Sequence, residues 1–286
     1  MINPLSTQIP FSINIKGKLL SLSKPIVMGV VNITPDSFFK NSRVHDLEEL
    51  CSKVQEMWEF GAAIIDIGAA SSRPGAKLVS SNDELKVLLP ALQSLVKKFP
   101  EIPFSIDTYN AETARACVGE GAAVINDISS GSIDSNMFQT IASLRVPYIM
   151  MHMQGIPENM QQNPTYSDVL DEIIEFFLKK IILARDSGVN DIIIDPGFGF
   201  GKTLEHNYFL LRYLKQLNIL QLPILCGLSR KSFINNVIHT KPETALNGTT
   251  VLNTIALLNG ANILRVHDVL EAKQAIDLIN FYQTAN

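Results

Sequence analysis

Eight times between residues 26 and 266, a short run of apolar, β-favouring residues gives way to a turn and then to a helical spacing of leucines and isoleucines. The runs are Ile26–Asn32, Ala63–Ile67, Phe104–Asp107, Ala122–Asn126, Tyr148–Met151, Ile192–Asp195, Pro223–Gly227 and Ile263–Val266. They are continuous, not alternating with polar residues, which is the mark of strands covered on both faces. Parallel strands need a crossover between them, so strand–helix alternation implies a parallel sheet. Eight such units close a (β/α)8 TIM barrel, and 286 residues suit one such domain over 1–286. An open doubly wound sheet is the competing arrangement of the same rhythm.

The helices between the runs are legible from spacing. Leu85, Leu88, Leu89, Leu92, Leu95, Val96 and Phe99 form one face, with Asn82 as its N-cap and Pro90 as a kink. A second helix, opened by Ser167, carries Val169, Leu170, Ile173, Phe176, Phe177 and Ala184. Leu204–Leu217, Thr249–Leu258 and Leu270–Tyr282 complete the later ones. Ahead of them, Ser12–Leu22 reads as a hairpin turning at Lys16-Gly17-Lys18, within a segment of about 11–23 that stands outside a barrel of about 25–284.

Composition removes several functions. A net charge of −4 with scattered Lys and Arg gives no basic face for nucleic acid. No apolar run approaches the ~18 residues of a membrane span, and the first residues lack the pattern of a signal peptide. Cys51, Cys117 and Cys226 are far apart and odd in number, which fits a reducing cytoplasm and no disulfide framework.

A parallel barrel binds ligands where strands end. Here the ends read Asn32, Asp66, Asp107, Asn126, Met151-His152, Asp195, Gly227-Leu228-Ser229 and Arg265-Val266-His267. Singly, each has a structural reading: Asp107 and Asn126 as helix caps, His152 as a satisfied core histidine, Asp66 as a loop-shaping residue. Their convergence on one rim is what capping does not explain. The loop after Asp195, PGFGFGKT, resembles a phosphate loop, but Pro196 stands where the Walker A spacing wants glycine, and glycines at 197, 199 and 201 break the dinucleotide fingerprint. Alternating glycines instead let a backbone approach a flat ring. Asp195 can accept paired hydrogen bonds from a guanidine-like edge such as that of a pterin. Histidines 45, 152, 206, 239 and 267 show no HxxxH cage. Mg²⁺ joined by Asn32 to a substrate diphosphate needs no such cage.

Taken in order, MGVVNITPDSF (28–38), GAASSRPG (68–75), SIDTYNA (105–111), INDIS (125–129), MMHMQG (150–155), DPGFGFGKT (195–203), GLSRKSF (227–233) and RVHDV (265–269) resemble the motifs of the dihydropteroate synthase family from about residue 11 onward. The resemblance implies a transferase of folate biosynthesis, usually homodimeric, that condenses 6-hydroxymethyl-7,8-dihydropterin diphosphate with p-aminobenzoate and is a sulfonamide target. It implies Asp107, Asn126, Asp195 and Lys231 around the pterin, with Met151, Phe200 and Gly227 lining the slot. It places Asn32 with Mg²⁺ and diphosphate, and Ser72, Arg265 and His267 on the diphosphate oxygens. Phe38, Arg73, Pro74 and Ser232 fall to the aminobenzoate. Asp107, Lys231, Arg265 and His267 are the expected catalytic set.

Two departures lie on the aminobenzoate side. Ala70 and Ser72 stand where the family usually has Glu and Thr, and Phe39-Lys40-Asn41-Ser42 replaces its usual SDGG. They motivate one alternative, a pterin-binding paralogue with altered catalysis. Another is a methyltetrahydrofolate-dependent corrinoid methyltransferase barrel, which shares the Asp, Asn and Asp but has no diphosphate to hold and so no need of SRKSF or RVHDV. A helix face of exposed apolar residues would mark the dimer.

Overall fold

The computed structural model describes residues 11–33, 43–70 and 74–285. Strands β1 (Ser12–Ile15) and β2 (Lys18–Ser21) form the antiparallel hairpin, and eight parallel strands follow. These are β3 (Ile26–Asn32), β4 (Ala62–Gly68), β5 (Phe104–Asp107), β6 (Val124–Asp127), β7 (Tyr148–Met151), β8 (Ile192–Asp195), β9 (Leu225–Cys226) and β10 (Ile263–Val266). They pair in the order β8-β7-β6-β5-β4-β3-β10-β9. The remaining seam closes through a parallel bridge between Ile194 and Ile224 and an N–H of Ile194 donating to Pro223 O at 3.0 Å. The sheet is therefore a barrel, not an open wound sheet.

β9 is shorter than its sequence suggests. Pro223 has no N–H for the ladder, and the side chain of Asn262 accepts from the N–H of Ile224 at 2.9 Å. The hairpin also differs from expectation. It is not outside the fold: Ile13, Ile15 and Leu22 are buried in one cluster with Met28, Ile64, Val124, Ile149, Ile193, Leu225 and Ile263. It plugs the barrel floor and shields that interior layer from water.

Described helices are α1 (Arg43–Glu59), α2 (Ser81–Lys98), α3 (Ala111–Gly119), α4 (Met137–Leu144), α5 (Val169–Asp186), α6 (Leu204–Arg212), α7 (Ser232–Ile238), α8 (Leu246–Leu258) and α9 (Val269–Thr284). The α2 cap is Ser80, not Asn82: its side chain accepts the N–H of Asp83, and the helix continues through Pro90. Asp168 caps α5 in place of Ser167 and accepts two N–H groups where a hydroxyl commonly takes one. The stretch Leu204–Leu217 divides into α6 and a 3₁₀ segment, Leu214–Leu220. Leu214 and Leu217 are both buried there, and their three-residue step suits the tighter helix.

Period-two alternation sorts each strand. Ile65, Ile67, Phe104, Ile106, Ile125, Tyr148, Ile194 and Leu264 pack outward against the helices. Intervening residues face the barrel axis, since successive strand side chains point to opposite faces. Two residues beyond the interior layer, which is apolar except for the buried Ser105 on β5, the same inward rows carry Asp66, Asp107, Asn126, Met151, Asp195, Gly227 and Arg265. The polar layer sits directly on the apolar one.

Candidate active site

Two carboxylates, one guanidinium and one amide form the floor. Arg265 Nε donates to Asp66 Oδ2 at 2.7 Å, and its Nη2 lies 2.6 Å from that oxygen and 2.7 Å from Asp107 Oδ2. Asn126, itself 4% exposed, donates its Nδ2–H to Asp66 Oδ2 at 3.0 Å. Gly68 makes room for this: an added Cβ would come within 3.2 Å of Asp107 Cβ. Burial pushes the Asp107 carboxyl up to about 7, against the pull of Arg265 and with the push of Asp66.

Asp195 is buried, with Oδ1 accepting the N–H of Gly197 at 2.7 Å. Burial raises its pKa, and Lys231 opposes the rise. Lys231 donates to the carbonyl of Phe198, and its Nζ lies 4.6 Å from the Phe200 ring centroid. Burial of the ammonium brings its pKa down to about 8. Gly227 keeps the space between them open: a Cβ there would stand 3.7 Å from Lys231 Nζ and 3.9 Å from Asp195 Oδ2. Tyr109, Ile128 and Met151 form an apolar wall, joined by Ala70, Ile133, Met153 and Phe200. The result is a slot with acceptors at its base, a cation and an aromatic ring over it, and an apolar side.

Lys231 is aimed by its neighbour. Arg230 holds φ of 58° and binds Asp268 through Nε (2.9 Å) and Nη2 (2.6 Å), while its Nη1 reaches the carbonyls of Pro242 and Glu243. That anchor joins the loops after β9 and β10.

The glycine loop has a different job from the one its sequence suggests. Gly197 and Gly201 have positive φ, and added Cβ atoms would lie 1.9 Å from His152 O and 2.6 Å from Gln154 O. They are glycines because the loop packs on the 152–154 backbone, not only because a ring must approach. Lys202, 3% exposed, donates to Gly197 O (2.9 Å) and Phe200 O (3.0 Å) and pairs with His152 Nδ1 (3.0 Å). Gln161 takes Gly199 O and Tyr166 takes Gly201 O. Asn207 Oδ1 accepts the N–H of Gly199 at 2.6 Å. With its carbonyls satisfied by side chains and two N–H groups turned to Asp195 and Asn207, this loop is a rigid platform and not an anion cradle.

At the rim, Ser229 Oγ accepts the N–H of His267 at 3.2 Å and lies 3.0 Å from its Nδ1. With the serine hydroxyl donating to Nδ1, Nε2 carries the proton and is the donor offered outward. Desolvation of the ring beside Ser229, then the Arg265 charge, lowers the His267 pKa to about 4. Asn32, exposed at the end of β3, offers one amide oxygen. Among the described residues, no three His, Cys, Asp or Glu side chains converge as a metal cage. One amide oxygen fits Mg²⁺, which commonly takes its other ligands from phosphate and water. Ser232 is exposed as the first residue of α7, and Pro74 is exposed in the second loop. Phe38, Ser72 and Arg73, with Phe39–Ser42, lie outside the described residues.

The rim thus unites Asp107, Asn126, Met151, Asp195, Phe200, Gly227, Lys231 and Arg265. Asp66, taken from sequence as loop-shaping, is the residue that sequence reasoning missed; its inward parity with Ile64 was the available signal. A (β/α)8 barrel with such a slot at the C-terminal ends of its strands is an enzyme of the class that holds a flat, donor-rich heterocycle. The family described as pterin binding enzyme matches residues 28–267. The dihydropteroate synthase of Escherichia coli (strain K12) is 39% identical over 266 residues, 92% of this chain and 94% of that protein. The Yersinia pestis dihydropteroate synthase, solved with a sulfonamide drug complex, is 38% identical with a TM-score of 0.90, over 96% of this chain and 100% of that one. The Xanthomonas albilineans enzyme, solved with 4-aminobenzoic acid, is 36% identical with a TM-score of 0.89, over 97% and 100%. The chain belongs to the pterin-binding enzymes and, within them, to the dihydropteroate synthases.

Proposed function

We propose that this rim joins 6-hydroxymethyl-7,8-dihydropterin diphosphate to p-aminobenzoate, giving 7,8-dihydropteroate and diphosphate. The observation that carries the reading is the inward layer Asp107, Asn126, Asp195 and Arg265, closed over by Lys231 and Phe200. Asp195 and Asn126 hold the pterin's hydrogen-bonding edge, and Met151, Phe200 and Gly227 bound its faces. The bond between the pterin methylene and the diphosphate oxygen breaks with its electron pair leaving on oxygen. Arg265 Nη1 and His267 Nε2–H stabilise that developing charge. Mg²⁺, held through Asn32 and the diphosphate itself, supplies further neutralisation when bound. The carboxylates of Asp107 and Asp195 favour the positive charge left on the methylene. The aminobenzoate nitrogen then forms the new C–N bond and loses a proton, with Ser232, Pro74, Phe38 and Arg73 placing the ring and its carboxylate. Sulfonamides compete there. Ser72 joins the diphosphate side.

A diphosphate-release assay tests this. Release is expected only with both substrates present, and release without aminobenzoate, or none at all, overturns the reading. Across pH, the rate is expected to fall as pH drops through about 7, because Asp107 then takes up a proton and loses the charge that favours the methylene cation.

A second copy of the chain is the occupant we propose for the outer face of α8 and α9. Val251, Leu258, Leu278, Phe281 and Tyr282 are 50%, 49%, 71%, 74% and 70% exposed on these two packed helices. Outward helix faces of a monomer are ordinarily polar. Light scattering is expected to give a dimer for the wild type and a monomer for Phe281→Glu; a wild-type monomer at tens of micromolar sinks the proposal. The free, buried thiols of Cys51, Cys117 and Cys226 support a reducing cytoplasm, which cell fractionation would check.

A further inference from the structure

We propose that Asp66 is a positioning residue for this reaction: from beneath the slot it fixes the direction in which Arg265 and Asn126 face the substrate. The inference rests on the dihydropterin diphosphate reading above. Asp66 is 0% exposed on β4, and Oδ2 alone receives Arg265 Nε, Arg265 Nη2 and Asn126 Nδ2. Oδ1 has no partner among the described residues. All the bonding of this carboxylate therefore converges on one oxygen and on two substrate-facing side chains.

The consequences are geometric. A guanidinium is a rigid planar fork with five donors. Asp66 takes Nε and shares Nη2 with Asp107, so two strands fix the plane. Among the described residues nothing takes up Nη1, and that edge is left for the diphosphate. Asn126 has one amide proton tied to Asp66, so its amide cannot turn over without placing two oxygens together. Its Oδ1 is thereby kept as an acceptor for the pterin. Asp107 is faced by Arg265, Asp66, Glu84 and Asp127, and the negative charge of Asp66 is one cause of its raised pKa.

A purely structural role for Asp66 predicts something different from a positioning role, and Asp66→Asn separates them. Positioning predicts a kcat for diphosphate release lower by about thirtyfold or more, with the aminobenzoate KM within threefold of wild type. It also predicts that the acid limb of the rate profile moves to lower pH, because Asp107 loses a like-charged neighbour. A folded variant with kcat within threefold and an unmoved limb overturns the proposal. Should the variant not fold, the wild type answers alone. In ¹⁵N-labelled protein, assigned by its absence from Arg265→Lys, the Arg265 Nε–H signal is expected to resist solvent exchange at neutral pH without substrate. Rapid exchange there overturns the anchor. An inactive wild type would instead count against the functional reading, so the two failures are distinct.

Discussion

Asp195→Ala will weaken pterin binding by about a hundredfold to a thousandfold, the equivalent of roughly 3–4 kcal/mol. Asp195 closes β8 in the inward row, and among the described residues only one of its oxygens takes a hydrogen bond, from the N–H of Gly197. The other lies beside the gap that Gly227 leaves open. A carboxylate there accepts from adjacent N–H groups of one heterocycle edge, the strong, charge-assisted arrangement. Alanine removes the acceptor pair and also loosens the glycine loop, so a second substitution is needed to separate the two effects. Asp195→Asn can keep the bond to Gly197 with its carbonyl while turning an NH₂ toward the pterin donors. Its binding defect is expected to match that of alanine, with a melting temperature closer to wild type. Calorimetry with the pterin diphosphate measures the first, thermal unfolding the second. Unchanged affinity in the alanine variant would remove Asp195 from the pterin pocket.

The same stretch shows what a sequence can and cannot say. Apolar runs ending in polar residues placed Asp107, Asn126, Asp195 and Arg265 at strand ends, and period two then puts them in one inward layer, because parity is local. The barrel itself follows from eight repetitions of a local pattern. What the sequence leaves open is pairing across distance. Asp66 and Arg265 are 199 positions apart and meet only because β3, which separates their strands in the sheet, brings β4 and β10 around the axis. Lys202 looks like the end of a phosphate loop. Only the fold reveals that His152 and the carbonyls of Gly197 and Phe200 consume it. The hairpin gives no sign in its sequence that Ile13, Ile15 and Leu22 will face a barrel floor, since alternation says which residues share a face but not what that face meets.

Arg265→Ala will lower both stability and turnover, through different edges of one guanidinium. Inside, it removes the only cation bonded to Asp66 and Asp107 among the described residues. Breaking such a pair costs about 3–5 kcal/mol, because the carboxylates stay where they are without a partner. Arg265 normally restrains the rise of the Asp107 pKa, so in the variant it climbs above about 7. A carboxyl whose folded pKa is raised holds its proton longer in the folded state, and stability then falls as pH rises between the unfolded value of 3.8 and the raised folded one. The wild type shares that slope up to its own folded value of about 7, so the deficit from this group is expected to open as pH rises above about 7 and to be smallest at lower pH, which urea unfolding at several pH values will show. Outside, the loss of Nη1 from the departing diphosphate is expected to lower kcat by about a hundredfold or more, with little change in the KM for aminobenzoate. Arg265→Lys sharpens the division. A lysine can place its one ammonium between Asp66 and Asp107, recovering much of the stability, but it then has no second edge to turn to the diphosphate. Stability regained without kcat is the expected result; a lysine variant that regains both would mean that the fork is not shared between the carboxylates and the leaving group.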